Sequence, residues 1–178
     1  MARTLALLCS LLLVPMLFTT TRADGKMDAY IMALNDGEEK VMALANAVSE
    51  EKYAWRPGKS VRSVGEVYMH IVSANCFIPS LIGVKPPKGF SQETEKTVTK
   101  KSEILAWLKK SFDHARKAIS TASDETLAKD VEFFGNETTG EGMLMILVTH
   151  VHEHLGQSIA YARTNGIVPP WSAKQKQE

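Results

Sequence analysis

The segment from Thr138 to Pro170 constrains this chain more than any other, because start and stop signals enclose a long helical pattern. Thr138-Thr-Gly-Glu141 matches a capping box, in which a hydroxyl and a carboxylate satisfy each other's exposed backbone amides. At the far end Asn165-Gly166 and then Pro169-Pro170 prevent continuation. The spacing predicts a helix over 142–164, roughly 35 Å long at the usual rise per residue. Its run from Met143 to Val148 is apolar on every side, so the helix should be central and packed by several neighbours.

A helix of that length needs partners of the same kind, and three segments provide them. Met27, Ile31, Leu34, Val41, Leu44, Ala45 and Val48 recur at helical spacing, with Gly37 a weak point in the middle. Trp55, Pro57 and Gly58 then force a turn. Ser63-Val-Gly-Glu66 is a second capping box, opening a helix that runs through His70 to about Ile78, where Pro79 should end or kink it. The polar residues 88–100 lack periodicity and read as a surface loop. Leu105, Leu108, Phe112, Ala115 and Ile119 mark another amphipathic helix with its charged side toward water, and Phe133-Phe134-Gly135 falls in a loop or short hairpin. The expected fold is all-α, an antiparallel four-helix bundle in one domain spanning residues 24–178.

Residues 1–23 are set apart by composition. One positive charge at Arg3 precedes an apolar run of about 14 residues broken by Pro15, short for a membrane span, and Thr21-Arg-Ala23 suits cleavage. The segment is expected to be a signal peptide, with an uncleaved anchor as the competing reading. The mature protein is then exported, periplasmic or secreted, with no stable membrane insertion. Without Arg3 and Arg22 it carries 19 basic against 20 acidic residues, a balance that argues against nucleic acid as a partner. Cys9 leaves with the signal, so Cys76 stands alone and no internal disulfide forms. On an apolar helix face it reads as a buried thiol rather than a nucleophile.

The chemistry-bearing residues are histidines. On the last helix His150 and His154 lie ~40° apart and one turn of ~6 Å along the axis, so both rings can converge on one ion, while His152 points the other way. A strand would instead put His150, His152 and His154 on one face, but the capping box and the long apolar approach favour helix. His70 is the candidate third ligand, in the middle of another apolar helix. Taken alone it reads as a satisfied core histidine. Three imidazoles aimed into one core would each need a polar partner, and one cation supplies all three. His114, beside Asp113, is expected at the surface.

Ser63-Val-Gly-Glu-Val-Tyr-Met-His70, followed far downstream by His150-x-x-x-His154-Leu-Gly-Gln157 and Tyr161-Ala-Arg163, resembles the DinB/YfiT-like family over nearly all the mature chain. The resemblance implies a four-helix bundle holding one divalent metal through a histidine of the second helix and two of the last, here His70, His150 and His154. Leu155 departs from the pattern, since many relatives carry arginine there. Gln157 and Tyr161 continue the His150/His154 face and could orient a ligand or touch substrate, with helix packing an equal alternative. Glu66, one turn from His70, is explained by its capping role and is also a candidate beside the metal. Glu153 reads as a solvated or supporting carboxylate. Trp55, Trp171, Phe133 and Phe134 fit aromatic core packing or a pocket mouth.

Three nitrogen ligands leave a further position open, the arrangement of a catalytic rather than a structural site. Zinc is the first expectation, with nickel, iron and manganese as alternatives. The expected function is a metal-dependent enzyme on an unidentified small-molecule substrate: a hydrolase first, and second, as the resemblance implies, a thiol S-transferase, which export disfavours because reducing thiols belong mainly to the cytoplasm. The alternative is a non-catalytic stress or binding protein whose ion mainly pins two helices together; a homodimer is the expected assembly.

Overall fold

The computed structural model describes residues 24–174, and the segment read as a signal peptide, residues 1–23, lies outside the described residues. Four long helices dominate: α1 Asp24–Ala47, α2 Val64–Leu81, α4 Lys101–Ser120 and α6 Gly140–Thr164. Shorter elements fill the connections: a 3-10 turn at Glu50–Ala54, α3 at Thr94–Thr97, α5 at Asp124–Ala128, a hairpin of β1 Asp130–Phe133 with β2 Asn136–Thr139, and α7 at Pro170–Lys174. Among the described residues no helix is long and apolar enough to cross a membrane.

The expected four-helix bundle is present, with two helices running each way. Each of α1 and α2 packs on both α4 and α6, so α1 and α2 face each other across the diagonal. Lys26 reaches Glu141 and His152 reaches Ala33, which sets α1 alongside α6 in the same direction. Arg116 binds Asn35 and Glu38 while Lys101 binds the carbonyl of Val48, so α4 runs against α1. The connection over 82–100 is long enough to return the chain to the starting end, which lets the neighbours α2 and α4 run parallel; Asn75 bonds Ser111 between them at 3.3 Å.

The core is built from the apolar stripes the spacing predicts. Leu34, Val41 and Leu44 of α1, Ile71 of α2, Leu108 of α4 and Leu147 of α6 are fully buried, each contributing about 1.5–3 kcal/mol of transfer free energy before entropy is counted. Cys76 is buried among them as expected, and burial pushes its thiol up to about 12, which keeps it protonated and unreactive.

Three local expectations are corrected, and at Pro79 one of two alternatives falls away. Pro79 does not stop α2, which continues to Leu81. In the final turn a proline removes one intrahelical bond, and the amides of Gly83 and Val84 fold back onto Ser80 and Pro79 to close the end. The cap of α6 lies one residue later than the sequence motif suggests: Thr139 is extended and its hydroxyl accepts from Gly142 at 3.1 Å, while Thr138 pairs with Val131 in the hairpin. Glu141 is thereby released to bind Lys26. The loop over 88–100 contains the single turn α3. Finally, α6 is not covered all round, since Met145 is 53% exposed.

Candidate metal centre

The second capping box places the first histidine. Glu66 donates its amide to the Ser63 hydroxyl at 3.2 Å and its carboxylate accepts the Ser63 amide at 2.6 Å, fixing where α2 begins and therefore which way His70 faces. His70 turns toward α6, where His150 and His154 stand one turn apart. Ring centroids are 4.9 Å apart for His70 and His150, 4.7 Å for His70 and His154, and 4.4 Å for His150 and His154. One nitrogen from each lies within 4.8 Å of the others, and the Nε2 atoms of His70 and His150 approach to 3.2 Å. Three basic nitrogens converging this closely fit a single divalent cation.

The outer nitrogens explain the orientation of two of the rings. His70 Nδ1 lies 3.1 Å from the Glu95 carboxylate, which as an ion only accepts, so the proton sits on Nδ1 and the Nε2 lone pair faces inward. His154 Nδ1 meets Gln157 Oε1 at 2.8 Å, and the Gln157 amide donates in turn to the Tyr161 hydroxyl at 3.0 Å. Tyr161 is held edge-on by Trp55 with centroids 5.4 Å apart. Gln157 and Tyr161 thus form a chain of support behind His154. His150 differs, because its buried Nδ1 has no hydrogen-bond partner among the described residues.

Electrostatics keep the rings available. Burial pushes the His150 imidazole down to about 4, and the adjacent His154 and His70 add to that shift. Burial also lowers His154, against the raising effect of its bond to Gln157. Both are neutral near pH 7, with free lone pairs. Burial alone would raise the Glu95 carboxyl, but hydrogen bonds with His70 and Ser73, and the charges of His70 and Arg62, hold it below the ordinary value. Arg62 sits 3.6 Å from Glu95.

The other predicted residues fall elsewhere. His152 faces α1 and bonds the Ala33 carbonyl oxygen at 3.0 Å. The Glu66 carboxylate is engaged by Ser63 and by Arg56 at 3.0 Å, and these contacts hold it below the usual carboxylate range. Leu155 is buried in the core. His114 corrects the expectation of a surface site: it continues the buried face of α4 from Ser111 toward Ala118, and burial lowers its imidazole. Its neighbour Asp113 is exposed, so adjacency misled where the helical step of three did not. Glu95 was not anticipated. It comes from α3, inside a polar connection with several similar carboxylates, and nothing in the local pattern marks it out.

A cavity of about 380 Å³ opens along His70 and His150, walled by Phe77 and Ile78 of α2 and by Phe133 and Phe134 of the hairpin, with Glu153 beside it. A second, of about 370 Å³, is bordered by Tyr53, Arg56, Glu66, Glu95 and Lys96. Glu95 therefore borders one cavity while bonding a histidine that borders the other.

Comparison with known proteins agrees with the fold. The family model of the DinB superfamily matches residues 33–158. The uncharacterized protein YjoA of Bacillus subtilis (strain 168) is 25% identical over 127 residues, covering 69% of this chain and 80% of YjoA. A DinB-like protein from Bacillus cereus ATCC 10987 has a crystal structure that superimposes with a TM-score of 0.68 at 25% identity, covering 80% of this chain and 95% of that one. YfiT from Bacillus subtilis, described as a probable metal-dependent hydrolase with an unusual four-helix bundle topology, shares the fold with a TM-score of 0.63 at 14% identity, over 84% of this chain and 93% of YfiT.

Proposed function

The chain belongs to the DinB superfamily, and from that membership and its converging imidazoles we propose that it is a metal-dependent hydrolase holding one divalent ion between His70, His150 and His154. The observation that carries this reading is the tautomer control: Glu95 and Gln157 fix the Nδ1 protons of His70 and His154, which leaves Nε2 of each free toward the centre beside an open cavity. A bound ion would supply Lewis acidity and lower the pKa of water near neutrality. YfiT, which shares the fold, is described in the same terms.

The chain's own residues divide the remaining work. Glu95 and Gln157 keep two rings in one orientation, so they need not reorganise during a reaction. The Phe133 and Phe134 wall restricts water beside His70 and His150. Glu153 is the carboxylate bordering the same cavity and is positioned to take or return a proton. Zinc is the proposed metal, since three imidazoles and an open position suit it. The same reading includes export of the mature chain, checked by whether the secreted protein begins near Asp24.

Cobalt substitution tests the function, because the visible spectrum reports coordination. Adding acetohydroxamate should change the spectrum at an open site. A spectrum unchanged at saturating ligand overturns the enzyme reading in favour of an ion that only braces α2 against α6.

A further inference from the structure

Phe134 occupies a position that folding does not favour. It sits at the tip of the hairpin with a φ of 51°, in the left-handed region that asparagine or glycine fills more readily, and the following Gly135 has a φ of 78°. Its side chain is 83% exposed. A bulky aromatic is therefore held in an unfavourable backbone conformation without being buried, a combination found where a residue serves a site.

The surroundings of Phe134 define that site. Its ring lies against Phe133 with centroids 4.5 Å apart, and the pair forms one wall of the 380 Å³ cavity that ends on His70 and His150. Phe77, itself 36% exposed, and Ile78 form the wall opposite, and Ile146 adds further apolar surface. The volume suits a small organic molecule. Charge narrows the choice. Among the described residues no lysine or arginine borders this cavity, and Glu153 is its one ionisable group apart from the histidines. At the hairpin end Phe77, Ile78, Phe133, Phe134 and Ile146 offer no ionic partner, so a distal charged group of either sign would lose its water without compensation.

We infer that the cavity binds a small uncharged substrate carrying an aryl group, which lies between the Phe133/Phe134 pair and Phe77 with its reacting group toward His70 and His150. The inference rests on the metal-site reading above and adds the substrate class. Stacking of an aryl ring on the hairpin pair accounts for an exposed aromatic at the turn, and the apolar lining accounts for the selection against charged groups.

The test compares three probes on the cobalt-loaded full-length mature chain: acetohydroxamate, benzohydroxamate and 4-carboxybenzohydroxamate. Benzohydroxamate should bind about ten- to a hundredfold more tightly than acetohydroxamate, the expected gain from burying a ring. The 4-carboxy compound should lose severalfold of that advantage, because its charge would be buried among apolar side chains. Phe134→Asn, which suits the left-handed turn, should fold at least as stably as the parent yet weaken benzohydroxamate several times more than acetohydroxamate. Equal affinity for the two simple hydroxamates, or an aryl preference untouched by Phe134→Asn, overturns the inference. If no hydroxamate changes the spectrum, the open metal site fails, and amide NMR with benzyl alcohol, which needs no metal, decides the aryl site separately. Shifts confined to Phe77, Phe133 and Phe134 support it, and their absence overturns it.

Discussion

His70 and His154 rest their outer nitrogens on acceptors of different kinds, a carboxylate for one and an amide oxygen for the other. Glu95→Ala should therefore weaken metal binding by roughly ten- to a hundredfold, and Glu95→Gln should restore part of it, as measured by competition with a chromogenic chelator. His70→Ala, His150→Ala and His154→Ala should each remove most of the metal found by elemental analysis, whereas His152→Ala should retain it and lose only the bond to Ala33. Acid acts on the same residues. The His150 imidazole lies near 4 in the folded chain against an ordinary 6.5, so between those values the unfolded chain holds a proton that the folded chain does not. Stability should fall as pH drops from about 6.5 toward 4 and then level off. A flat thermal midpoint across that window, measured on metal-free protein, would contradict the buried neutral ring. The three converging histidines were legible because helical spacing alone brings His150 and His154 together and an apolar helix carries His70. Glu95 was not, because its contact closes across 25 positions from a segment without periodicity.

Helix starts and stops could be read approximately at the level of elements, but close approaches between helices could not. Gly37 looks like a defect in α1, yet a Cβ there would come within 2.8 Å of Val151 Cγ1 on α6, and Val151 is fully buried. Helix propensity alone favours alanine by about 1 kcal/mol. Gly37→Ala should nevertheless destabilise the protein by about 1–2 kcal/mol, because a buried branched side chain must move; urea unfolding would check this, and a gain in stability would show that the two helices can separate freely. Thr139→Ala should cost about 1 kcal/mol as a lost cap. The one-residue displacement of that cap from Thr138 was hidden in sequence because both residues are threonine and the hairpin, a tertiary feature, decides which one is extended.

For the whole molecule, four helices followed from the 3.6-residue period, but their pairing did not: the long connection sends α2 and α4 the same way, a choice made by packing rather than by pattern. An ion between His70 and His150 would join positions 80 residues apart, so chelation should lower the thermal midpoint without abolishing the cooperative transition, since the apolar core lies between all four helices. The division of labour around the cavity reaches further. The converging nitrogens come from α2 and α6, while much of the opposite wall comes from a hairpin of eight strand residues whose outermost aromatic, Phe134, lies outside the buried core. Such a hairpin is an exchangeable part: a relative's turn could replace residues 133–136 and change which compounds are accepted while leaving the affinity for the ion untouched, so that chemistry and selectivity could diversify along separate paths within one bundle.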